Sequence, residues 1–548
     1  MKDVFTYIIG GKAGQGIMKA GEVAGNLFSM LKRYSFQVNE YPSLIRGGHN
    51  FAIVSSSVKP VYSFYRDADV IVALDRRSYE IHKSHLKPMG LMVVNEGDGE
   101  GLGLPIVAES RKFQRPDLIQ GVAGVAVLAA FLGVPEQRFQ EFLKEAYPKG
   151  AEENQAYAQT MYGLTKAKTS PRVVAQGTKS MRNIVGNDAI AMGAAAAGLD
   201  CYFSYPMTPT TGILHFFASN ADVLRLAVMQ PENELAVANM AIGAAFTGAR
   251  SMVGTSGGGF CLMEEAFSLA GMSEAPVLFV LGQRRGPSTG GPTYTEQADL
   301  FFALTPGQGE FPRLVASPGS IEEAFSLAGA MLDLVWRFQT PGILLTEKHL
   351  AESSMSVDLD PDQVPWVNPV LDAGSEPYER YRQTPDGISP LAFPPSSQVI
   401  KWNSYEHKPN GWTTEDPAEF TSMHEKRRRK QASLVSFLRA QKTVNTYGDG
   451  EAVLFTFGST TLSVREAIEY SDLKVRLVQP IFLEPLPVWE LEQYRGRHAF
   501  TIEQNSTGQL AMLLHDKVGM QITGSILKYD GRPFEPTELA HQIQEALR

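Results

Sequence analysis

Apolar runs that predict β-strands alternate with helical stretches along the middle of the chain. These runs cover residues 201–205, 223–229, 251–254 and 277–281. Each run ends in a short loop rich in hydroxyl, carboxyl, glycine or arginine residues. Apolar strands that alternate with helices form parallel sheets, which bind ligands outside the carboxyl ends of their strands. We therefore expect the four loops to meet at one sheet edge and to form a ligand site.

The same alternation occurs nearer both ends of the chain. Further strands are predicted at 5–9, 51–55, 70–74, 91–94, 452–456, 475–478 and 500–503, and helices at 17–31, 119–131, 137–146, 187–198, 235–245, 421–441 and 509–518. The polar stretch 151–184 is predicted to be a connection. Because 548 residues exceed what one hydrophobic core supports, we predict α/β domains over 1–170, 185–350 and 448–548, with an extended linker over 351–447.

The predicted linker differs in composition from the domains. Prolines recur in it, tryptophans appear at 366, 402 and 412, and the apolar periodicity is weak. A structureless insert of this length is uncommon inside a compact domain and is often functional. Its last helix carries the basic run 426–430, which we interpret as a solvated face. A patch that binds a phosphate or a partner protein is the alternative.

Composition excludes several classes of protein. The formal net charge of −9 gives no electrostatic reason to expect binding to nucleic acid or to an anionic membrane. No apolar stretch reaches the roughly 18 residues of a membrane span, and the apolar run 4–9 lacks the features of a signal peptide. Two cysteines, Cys201 and Cys261, are too few for a disulfide framework or an iron–sulfur cluster. We therefore expect a cytoplasmic protein without a cluster of its own.

The first two loops of the predicted sheet edge carry a hydroxyl and carboxylates. Thr208 lies between Pro206 and Pro209, whose rings fix two φ angles and so hold the hydroxyl in place. A solvent-facing threonine in a proline-rich turn is the alternative. Glu232 and Glu234 precede a small-residue helix, where a carboxylate serves either catalysis or helix capping.

The other two loops contribute bare backbone and positive charge. Thr255, Ser256 and Gly257 begin a glycine-dense turn, which lets a ligand approach the backbone closely. A tight strand–helix turn without a ligand is the alternative. Arg284 can hold a carboxylate at two points through its planar guanidinium. The neighbouring Arg285 is either a second carboxylate ligand or a surface charge.

Segments spread over nearly the whole chain resemble one protein family. The α subunit of the 2-oxoacid:ferredoxin oxidoreductases has motifs similar to YPMTP, ENELAVANMAIGA, TSGGGF and QRRGPSTGGPT, in this order. The γ subunit of the same family has motifs similar to GGKAGQGIMKAG and EYPSLIRGGHN. The branch that acts on 2-oxoglutarate has motifs similar to RYRQTPDGISP, EHKPNGWTTEDP and IEQNSTGQLAMLL. By this resemblance the chain is identified as a fused γ–α subunit.

The resemblance implies a fold and an activity. Residues 1–170 would form a Rossmann-like γ domain, 185–350 a pyrimidine-type thiamin-diphosphate-binding domain, and 448–548 a domain like the C-terminal one of transketolase. The implied reaction is the oxidative decarboxylation of 2-oxoglutarate with coenzyme A to succinyl-CoA and CO₂, or the reverse carboxylation, with ferredoxin as the electron partner. Pyruvate or another 2-oxoacid is the alternative substrate.

The resemblance also assigns roles to individual residues. Glu234 would be the catalytic glutamate that activates the aminopyrimidine of thiamin diphosphate. Thr208 and Arg284 would hold the substrate carboxylate, and the turn 255–257 would contact the cofactor. No residue of this chain is expected to bind a metal.

The resemblance places the remaining components on a partner chain. The Gly-Asp-Gly motifs at 97–99 and 448–450 lack the later asparagine with which family members anchor Mg²⁺ and the diphosphate. We therefore expect a β subunit that carries the diphosphate site, Mg²⁺ and a [4Fe–4S] cluster. The resemblance also favours a dimer of such αβ units.

Two other functions fit parts of the sequence. One is a transketolase-like transferase or decarboxylase half, which would lack the redox step. The other is a nucleotide-binding regulatory or scaffold protein that uses the glycine loop 10–16, since bare amides at a helix N-terminus suit phosphate. That loop matches neither standard phosphate-binding motif. The role of the motif at 43–48 is left open.

Overall fold

A computed structural model describes residues 2–43 and 48–548. In residues 2–185 the strands are β1 (Phe5–Gly11), β2 (Tyr34–Glu40), β3 (Asn50–Ser57), β4 (Ala68–Ala73), β5 (Leu86–Asn95), β6 (Leu102–Leu104) and β7 (Arg182–Val185). The helices there are α1 (Ile17–Met30), α2 (Arg76–His82), α3 (Ile106–Ser110), α4 (Gln120–Phe131), α5 (Glu136–Ala146) and α6 (Ala151–Lys168).

The middle of the chain alternates strands and helices. Its strands are β8 (Cys201–Phe203), β9 (Ala227–Met229), β10 (Ser251–Ser256), β11 (Val277–Gln283), β12 (Leu314–Ala316), β13 (Gly342–Glu347) and β14 (Ser354–Val357). Its helices are α7 (Gly186–Ala196), α8 (Thr211–Leu224), α9 (Glu234–Phe246), α10 (Gly257–Phe260), α11 (Glu264–Ser273), α12 (Leu300–Leu304), α13 (Ile321–Phe338) and α14 (Lys348–Glu352).

The last third begins with a long irregular segment and then returns to alternation. Its strands are β15 (Val444–Tyr447), β16 (Ala452–Phe455), β17 (Val475–Pro480), β18 (Phe482–Glu484), β19 (Ala499–Glu503) and β20 (Gly524–Leu527). Its helices are α15 (Pro417–Leu438), α16 (Thr460–Ser471), α17 (Val488–Leu491), α18 (Gln509–Val518) and α19 (Pro536–Ala546). Short 3₁₀ turns occur at Lys83–His85, Pro361–Gln363 and Glu492–Tyr494.

The described residues form three sheets, and each sheet combines with helices into an α/β unit. The central sheet has the order β18-β12-β13-β11-β10-β8-β9, and its strands from β12 to β9 pair in parallel. The predicted parallel sheet is thus confirmed. One predicted strand was wrong in part, because residues 223 and 224 complete helix α8 and only Ala227–Met229 is strand.

The first unit is built on the sheet β6-β5-β4-β1-β3-β2-β14-β7. Strand β14 comes from far along the chain and pairs antiparallel with β2 and β7. The prediction of a polar connection over 151–184 was wrong for its first half, which is helix α6. Tyr157 and Tyr162 are buried on this helix and donate hydrogen bonds to the carbonyls of Ile106 and Val134, at 2.8 and 2.7 Å. Packing of these two tyrosines, which have an apolar ring and a polar hydroxyl, therefore stabilises helix α6. The polar composition of the segment did not predict this helix.

The C-terminal unit, residues 444–548, is built on the sheet β15-β17-β16-β19-β20. Strands β17, β16, β19 and β20 pair in parallel, and β15 pairs antiparallel with β17. This unit is joined to the central one through β18, which pairs with β12. In addition, the buried carboxylate of Glu347 accepts a hydrogen bond from the backbone N–H of Ser459 at 3.1 Å. The central and C-terminal units therefore share a hydrogen-bonded boundary.

The basic run of helix α15 is largely buried, so its interpretation as a solvated face was wrong. The side chains of Lys426 and Lys430 are 0% and 1% exposed, and both amines bind the buried carboxylate of Glu274. Arg427 pairs with Glu406 at 2.6 Å. The reason is that α15 packs against the end of α11, where the buried carboxylate of Glu274 needs charged partners. Only Arg428 of the run is fully exposed.

No helix among the described residues combines the length and the apolar character needed to cross a bilayer.

Candidate active site

The four loops predicted to meet do follow neighbouring strands of the central sheet. Strand β10 lies between β8 and β11, and β9 lies on the far side of β8. Because these strands are parallel, their carboxyl ends face the same edge. The loops that contain Thr208, Glu234, Ser256 and Arg284 therefore emerge side by side.

Glu234 is the first residue of helix α9 and is 4% exposed. The residue that caps this helix is Asn233, whose side-chain oxygen accepts a hydrogen bond from the N–H of Ala236 at 2.9 Å. Glu234 is therefore not needed as a cap, which removes the main structural alternative for it. By contrast, Glu232 is exposed.

The turn after β10 lies directly over the Glu234 carboxylate. A Cβ atom on Gly259 would lie 2.7 Å from Glu234 Oε1 and would also meet the Thr255 hydroxyl, so only glycine fits there. Thr255 and Ser256 are fully buried. The Ser256 hydroxyl has no hydrogen-bond partner among the described residues. A buried hydroxyl without a partner, at the start of a glycine-dense turn, is suited to a polar ligand.

Arg284 and Thr208, predicted to act together, are in direct contact. The Nη1 atom of Arg284 donates a hydrogen bond to the backbone carbonyl of Thr208 at 2.8 Å, and both residues are half-buried. The Thr208 loop is also held by Asn187, whose amide donates to the carbonyl of Pro209 at 2.8 Å. Burial lowers the pKa of Arg284, and the nearby Asp299 carboxylate opposes this effect. The guanidinium thus remains a cation with a fixed orientation.

Arg285 lies on the other side of this loop. Its backbone N–H donates to the carbonyl of Tyr294 at 3.0 Å, and it forms an isolated β-bridge with Gly291. Its aliphatic stem would lie 3.4 Å from a Cβ on Gly531 of the C-terminal unit. Arg285 is therefore half-buried against that unit rather than a free surface charge.

Asp299 is a charged residue of this edge that sequence reasoning missed. It precedes the apolar run of helix α12, so the sequence suggests only a helix cap. In the structure its Oδ2 atom would lie 2.7 Å from a Cβ on Gly257, which places it against the turn after β10. Burial, together with Glu296, raises the pKa of Asp299 to about 6, although Arg284 opposes the shift.

The glycine loop of the first unit is filled by its own side chain. Gln15 accepts a hydrogen bond from the backbone N–H of Lys12 and donates to the side chain of Gln120 at 2.7 Å. A Cβ on Gly11 would overlap the Gln15 amide oxygen. The loop interior is therefore occupied where a phosphate would need free amides. Of the motif at 43–48, residues 44–47 lie outside the described residues.

In the part of the chain that the structure describes, no group of three or more histidine, cysteine, aspartate or glutamate side chains is arranged to hold a metal ion. Cys201 is half-buried, and Cys261 is exposed.

Comparison with known proteins identifies the family of this chain. A family model described as pyruvate ferredoxin/flavodoxin oxidoreductase matches residues 6–163, and one described as the thiamine diP-bdg part of pyruvate flavodoxin/ferredoxin oxidoreductase matches residues 192–426. The alpha subunit of a 2-oxoacid:ferredoxin oxidoreductase from a Sulfolobus species is 30% identical, over 99% of this chain and 96% of that relative. The chain belongs to the 2-oxoacid:ferredoxin oxidoreductase family.

Two further members of this oxidoreductase family bear on the substrate. The 2-oxoglutarate:ferredoxin oxidoreductase of Magnetococcus marinus, solved with 2-oxoglutarate, coenzyme A and succinyl-CoA bound, superposes with a TM-score of 0.90 at 28% identity and full coverage of both chains. The 2-oxoglutarate oxidoreductase subunit KorA of Mycobacterium tuberculosis is 30% identical over 67% of this chain and 57% of that relative.

In the present chain, the region that matches the thiamine-diphosphate-binding family model contains the loops of Thr208, Glu234, Ser256 and Arg284. The residues present fit that cofactor. The glycine turn packs bare backbone against the Glu234 carboxylate, and the Ser256 hydroxyl has no hydrogen-bond partner among the described residues.

Proposed function

We propose that this α subunit, with its fused γ part, belongs to an enzyme that converts 2-oxoglutarate and coenzyme A to succinyl-CoA and CO₂, or catalyses the reverse carboxylation, with ferredoxin as electron partner. The observation that supports this best is the convergence of Glu234, Thr208 and Arg284 at one sheet edge. The substrate is proposed because the solved relative binds 2-oxoglutarate and the mycobacterial relative is named for it.

Arg284 and Thr208 are proposed to bind the C1 carboxylate of the substrate. A guanidinium presents several N–H donors in one plane, and the hydrogen bond from Arg284 to the Thr208 carbonyl fixes the orientation of that plane. The remaining donors can then grip both oxygens of a carboxylate. The Thr208 hydroxyl, on the same stiff loop, can donate to the carboxylate or to the keto oxygen.

Glu234 is proposed to move a proton on the aminopyrimidine ring of the cofactor. When bound, thiamin diphosphate supplies the nucleophilic carbon and takes up the electrons that are left as CO₂ departs. Glu234 would hold a hydrogen bond to a ring nitrogen, which is general acid–base catalysis by position. Thr255, Ser256 and Gly257 would contact the cofactor, and the Glu234 carboxylate is kept from water by the turn above it.

The domain organisation and the partner remain part of this proposal. We propose a γ domain over 1–170, a pyrimidine-type domain over 185–350, a linker over 351–447 and a transketolase-like C-terminal domain over 448–548. The diphosphate site, Mg²⁺ and the [4Fe–4S] cluster are proposed to lie on a β subunit, because two cysteines cannot hold a cubane cluster. A dimer of αβ units, working in the cytoplasm, completes the proposal.

Anaerobic purification of the tagged chain with its native partner tests the proposal. We expect a brown complex with a cysteine-rich second subunit that reduces viologen when given 2-oxoglutarate, coenzyme A and thiamin diphosphate. Faster viologen reduction with pyruvate would show that the substrate is another 2-oxoacid and not 2-oxoglutarate. A partner without clustered cysteines would instead support the transferase or decarboxylase alternative.

The nucleotide-binding alternative makes opposite predictions. It requires that Glu234→Ala leaves activity unchanged and that a nucleotide protects residues 10–21 from hydrogen exchange. The Gln15 side chain inside the glycine loop argues against this function, because it already accepts the hydrogen bond from an amide that a phosphate would use.

A further inference from the structure

A cleft in the first unit has no role in the mechanism above. It has a volume of about 620 Å³, and its described lining residues all fall between Gly16 and Asn154. The sites of small ligands are usually clefts of roughly 300–1,000 Å³ with a mostly apolar lining and a few convergent polar groups. The cleft therefore has the size of a ligand site.

Much of the wall of this cleft is apolar. The first turn of helix α4 and the residues before it contribute Leu118, Ile119 and Val122, and the end of α5 and the loop after it contribute Ala146 and Pro148. Leu118 is 50% exposed. Apolar surface is therefore available here, and a ligand with an apolar body would remove it from water.

Cations surround the apolar wall. Lys19, Arg115 and Lys149 line the cleft, and Glu153 is the one carboxylate among its described lining residues. Lys19 also pairs with Glu22 at 2.6 Å, but both side chains are exposed, and such a pair contributes little. Because a cleft lined by an excess of one charge attracts the opposite charge, this one favours an anion.

Tyr147 adds a hydrogen-bond donor to the cleft. It is one of the lining residues, and its hydroxyl is buried without a hydrogen-bond partner among the described residues. Burial, together with the Glu22 carboxylate, raises the pKa of Tyr147, so the hydroxyl keeps its proton. Buried polar groups ordinarily have a partner. A ligand that accepts a hydrogen bond would supply the missing one.

Two helices also begin at this cleft. Helix α1 follows Gly16 and helix α6 follows Gly150, and neither helix has a side-chain cap. The first N–H groups of a helix have no partner within the helix and favour an anion. Glu152 and Glu153 weaken this effect at α6, whereas the first turn of α1 contains no acidic residue.

We propose that this cleft binds a small organic anion with an apolar body, which is not a reactant of the proposed enzyme. The apolar wall would bury the body of the ligand. Lys19, Arg115 and Lys149 would surround its charged group, and the Tyr147 hydroxyl would donate a hydrogen bond to it. The inference goes beyond the proposed function and does not depend on it, because the cleft is built from the first unit alone.

Fluorescence titration of the full chain with anilinonaphthalene sulfonate, an aromatic anion, tests the proposal. Arg115→Glu and Lys149→Glu each replace attraction by repulsion at an exposed position, so each should raise the Kd of the probe about threefold to tenfold. Tyr147→Phe removes only the hydroxyl and should raise the Kd by about the same factor. Lys59→Glu changes an exposed lysine of the same unit outside the cleft and should bind the probe like the wild type.

Competition separates the apolar body from the charge. Naphthalene sulfonate should displace the probe, whereas neutral naphthol or inorganic sulfate at the same concentration should displace much less. Equal Kd values in all four variants would place the probe elsewhere and overturn the proposal. Displacement by sulfate as strong as by naphthalene sulfonate would show a site for a bare anion, and displacement by coenzyme A would assign the cleft to a reactant. Either result also overturns the proposal.

Discussion

Glu274 and Asp299 are acidic residues of the same unit, but their surroundings differ in the number of cations. Glu274 is fully buried, and the amines of Lys426 and Lys430 bind its carboxylate. Burial alone would raise the pKa of Glu274, but Lys426, Lys430 and Arg380 together hold it well below its usual range. The Glu274 carboxylate therefore stays ionised near neutral pH.

Asp299 faces one cation, Arg284, and one like charge, Glu296. Burial and Glu296 outweigh Arg284 and raise the pKa of Asp299 to about 6. Such a carboxylate changes its charge near neutral pH, where the Glu274 carboxylate does not. A surplus of cations therefore keeps a buried carboxylate ionised, whereas a shortage lets its charge change near neutral pH. Changes at Glu274 should therefore alter stability, and changes at the sheet edge should alter activity.

Glu234→Gln should have the largest effect on the activity side of this comparison. Loss of a positioned acid–base group typically costs about 10²–10⁴-fold in rate, so we expect a loss of that size in kcat for viologen reduction by the complex. The midpoint of urea unfolding should stay at its wild-type value, since Asn233 caps the helix. Glu232→Gln, two residues away and exposed, is the matched control and should retain full activity. A nearly active Glu234→Gln complex would contradict the assigned role.

Glu274→Gln should have the largest effect on the stability side. The variant leaves Lys426, Lys430 and Arg380 buried without their anion, which typically costs about 3–5 kcal/mol of unfolding free energy. We expect the midpoint of urea unfolding to fall, while the activity per folded complex stays near the wild-type value. Glu425→Gln breaks an exposed pair with Arg428 on the same helix and should leave the midpoint unchanged. Equal midpoints for the two variants would show that the buried cluster is not structural.

The surplus of cations around Glu274 predicts a stability that depends on pH. Burial lowers the pKa of Lys430 to about 7, although Glu274 opposes the shift. The ordinary value of about 10.4 applies in the unfolded chain. Between these values the unfolded state binds the proton and the folded state does not, so stability should rise with pH by at most about 1.4 kcal/mol per unit.

The variant Lys430→Met tests whether the free energy of unfolding rises with pH because of Lys430. The urea midpoint of the wild type should increase from about pH 7 to about pH 10, and the variant should show a flatter curve over the same range. Lys474→Met, at an exposed lysine of the C-terminal unit, should follow the wild-type curve. A wild-type midpoint that falls over this range would reverse the argument.

Gln509→Leu should have the smallest effect and joins the two halves of the comparison. Without the Gln509 amide, the N–H groups of Leu300 and Phe301 lose their acceptor, and the Asp299 carboxylate can turn back to cap the helix. We expect the midpoint of urea unfolding to fall slightly, since the loss of a helix cap typically costs about 0.5–2 kcal/mol, with kcat reduced less than about tenfold. Gln493→Leu, at an exposed glutamine of the same unit, should keep the wild-type midpoint. An unchanged midpoint in Gln509→Leu would show that the Gln509 cap does not stabilise helix α12.

Most regular elements could be predicted from the sequence where hydrophobic periodicity is strong. Helix 509–518 agrees with Gln509–Val518 residue for residue, and strand 277–281 lies within Val277–Gln283. Strand β2 was missed because its alternation is short, with only Phe36 and Val38 as apolar members, while the polar Ser35 and Gln37 between them are buried as well. Its polar groups are satisfied by distant partners. The backbone N–H of Ser35 donates to the hydroxyl of Ser356 at 2.8 Å, and that hydroxyl donates to the side chain of Asn183. A local sequence pattern does not show which distant residues will be partners in the fold.

The sequence predicted which loops form the candidate site. Thr208, Glu234 and Arg284 each follow a strand, Ser256 ends one, and strand ends meet by the geometry of parallel sheets. The roles assigned to them stay predictions until activity is measured. Asp299 was not predictable, because before an apolar run an aspartate looks like an ordinary helix cap.

The sequence by itself determined the three α/β units, the family, and the loops that form the sheet edge, because periodicity and motifs are local properties of the chain. Only the tertiary structure decided which buried carboxylate stays ionised and which one changes its charge near neutral pH. Glu274 meets Lys426 across 152 residues, and Gln509 caps Leu300 across 209. The pKa of a carboxylate depends on burial and on the charges around it, and for Glu274 and Asp299 the folded chain sets both.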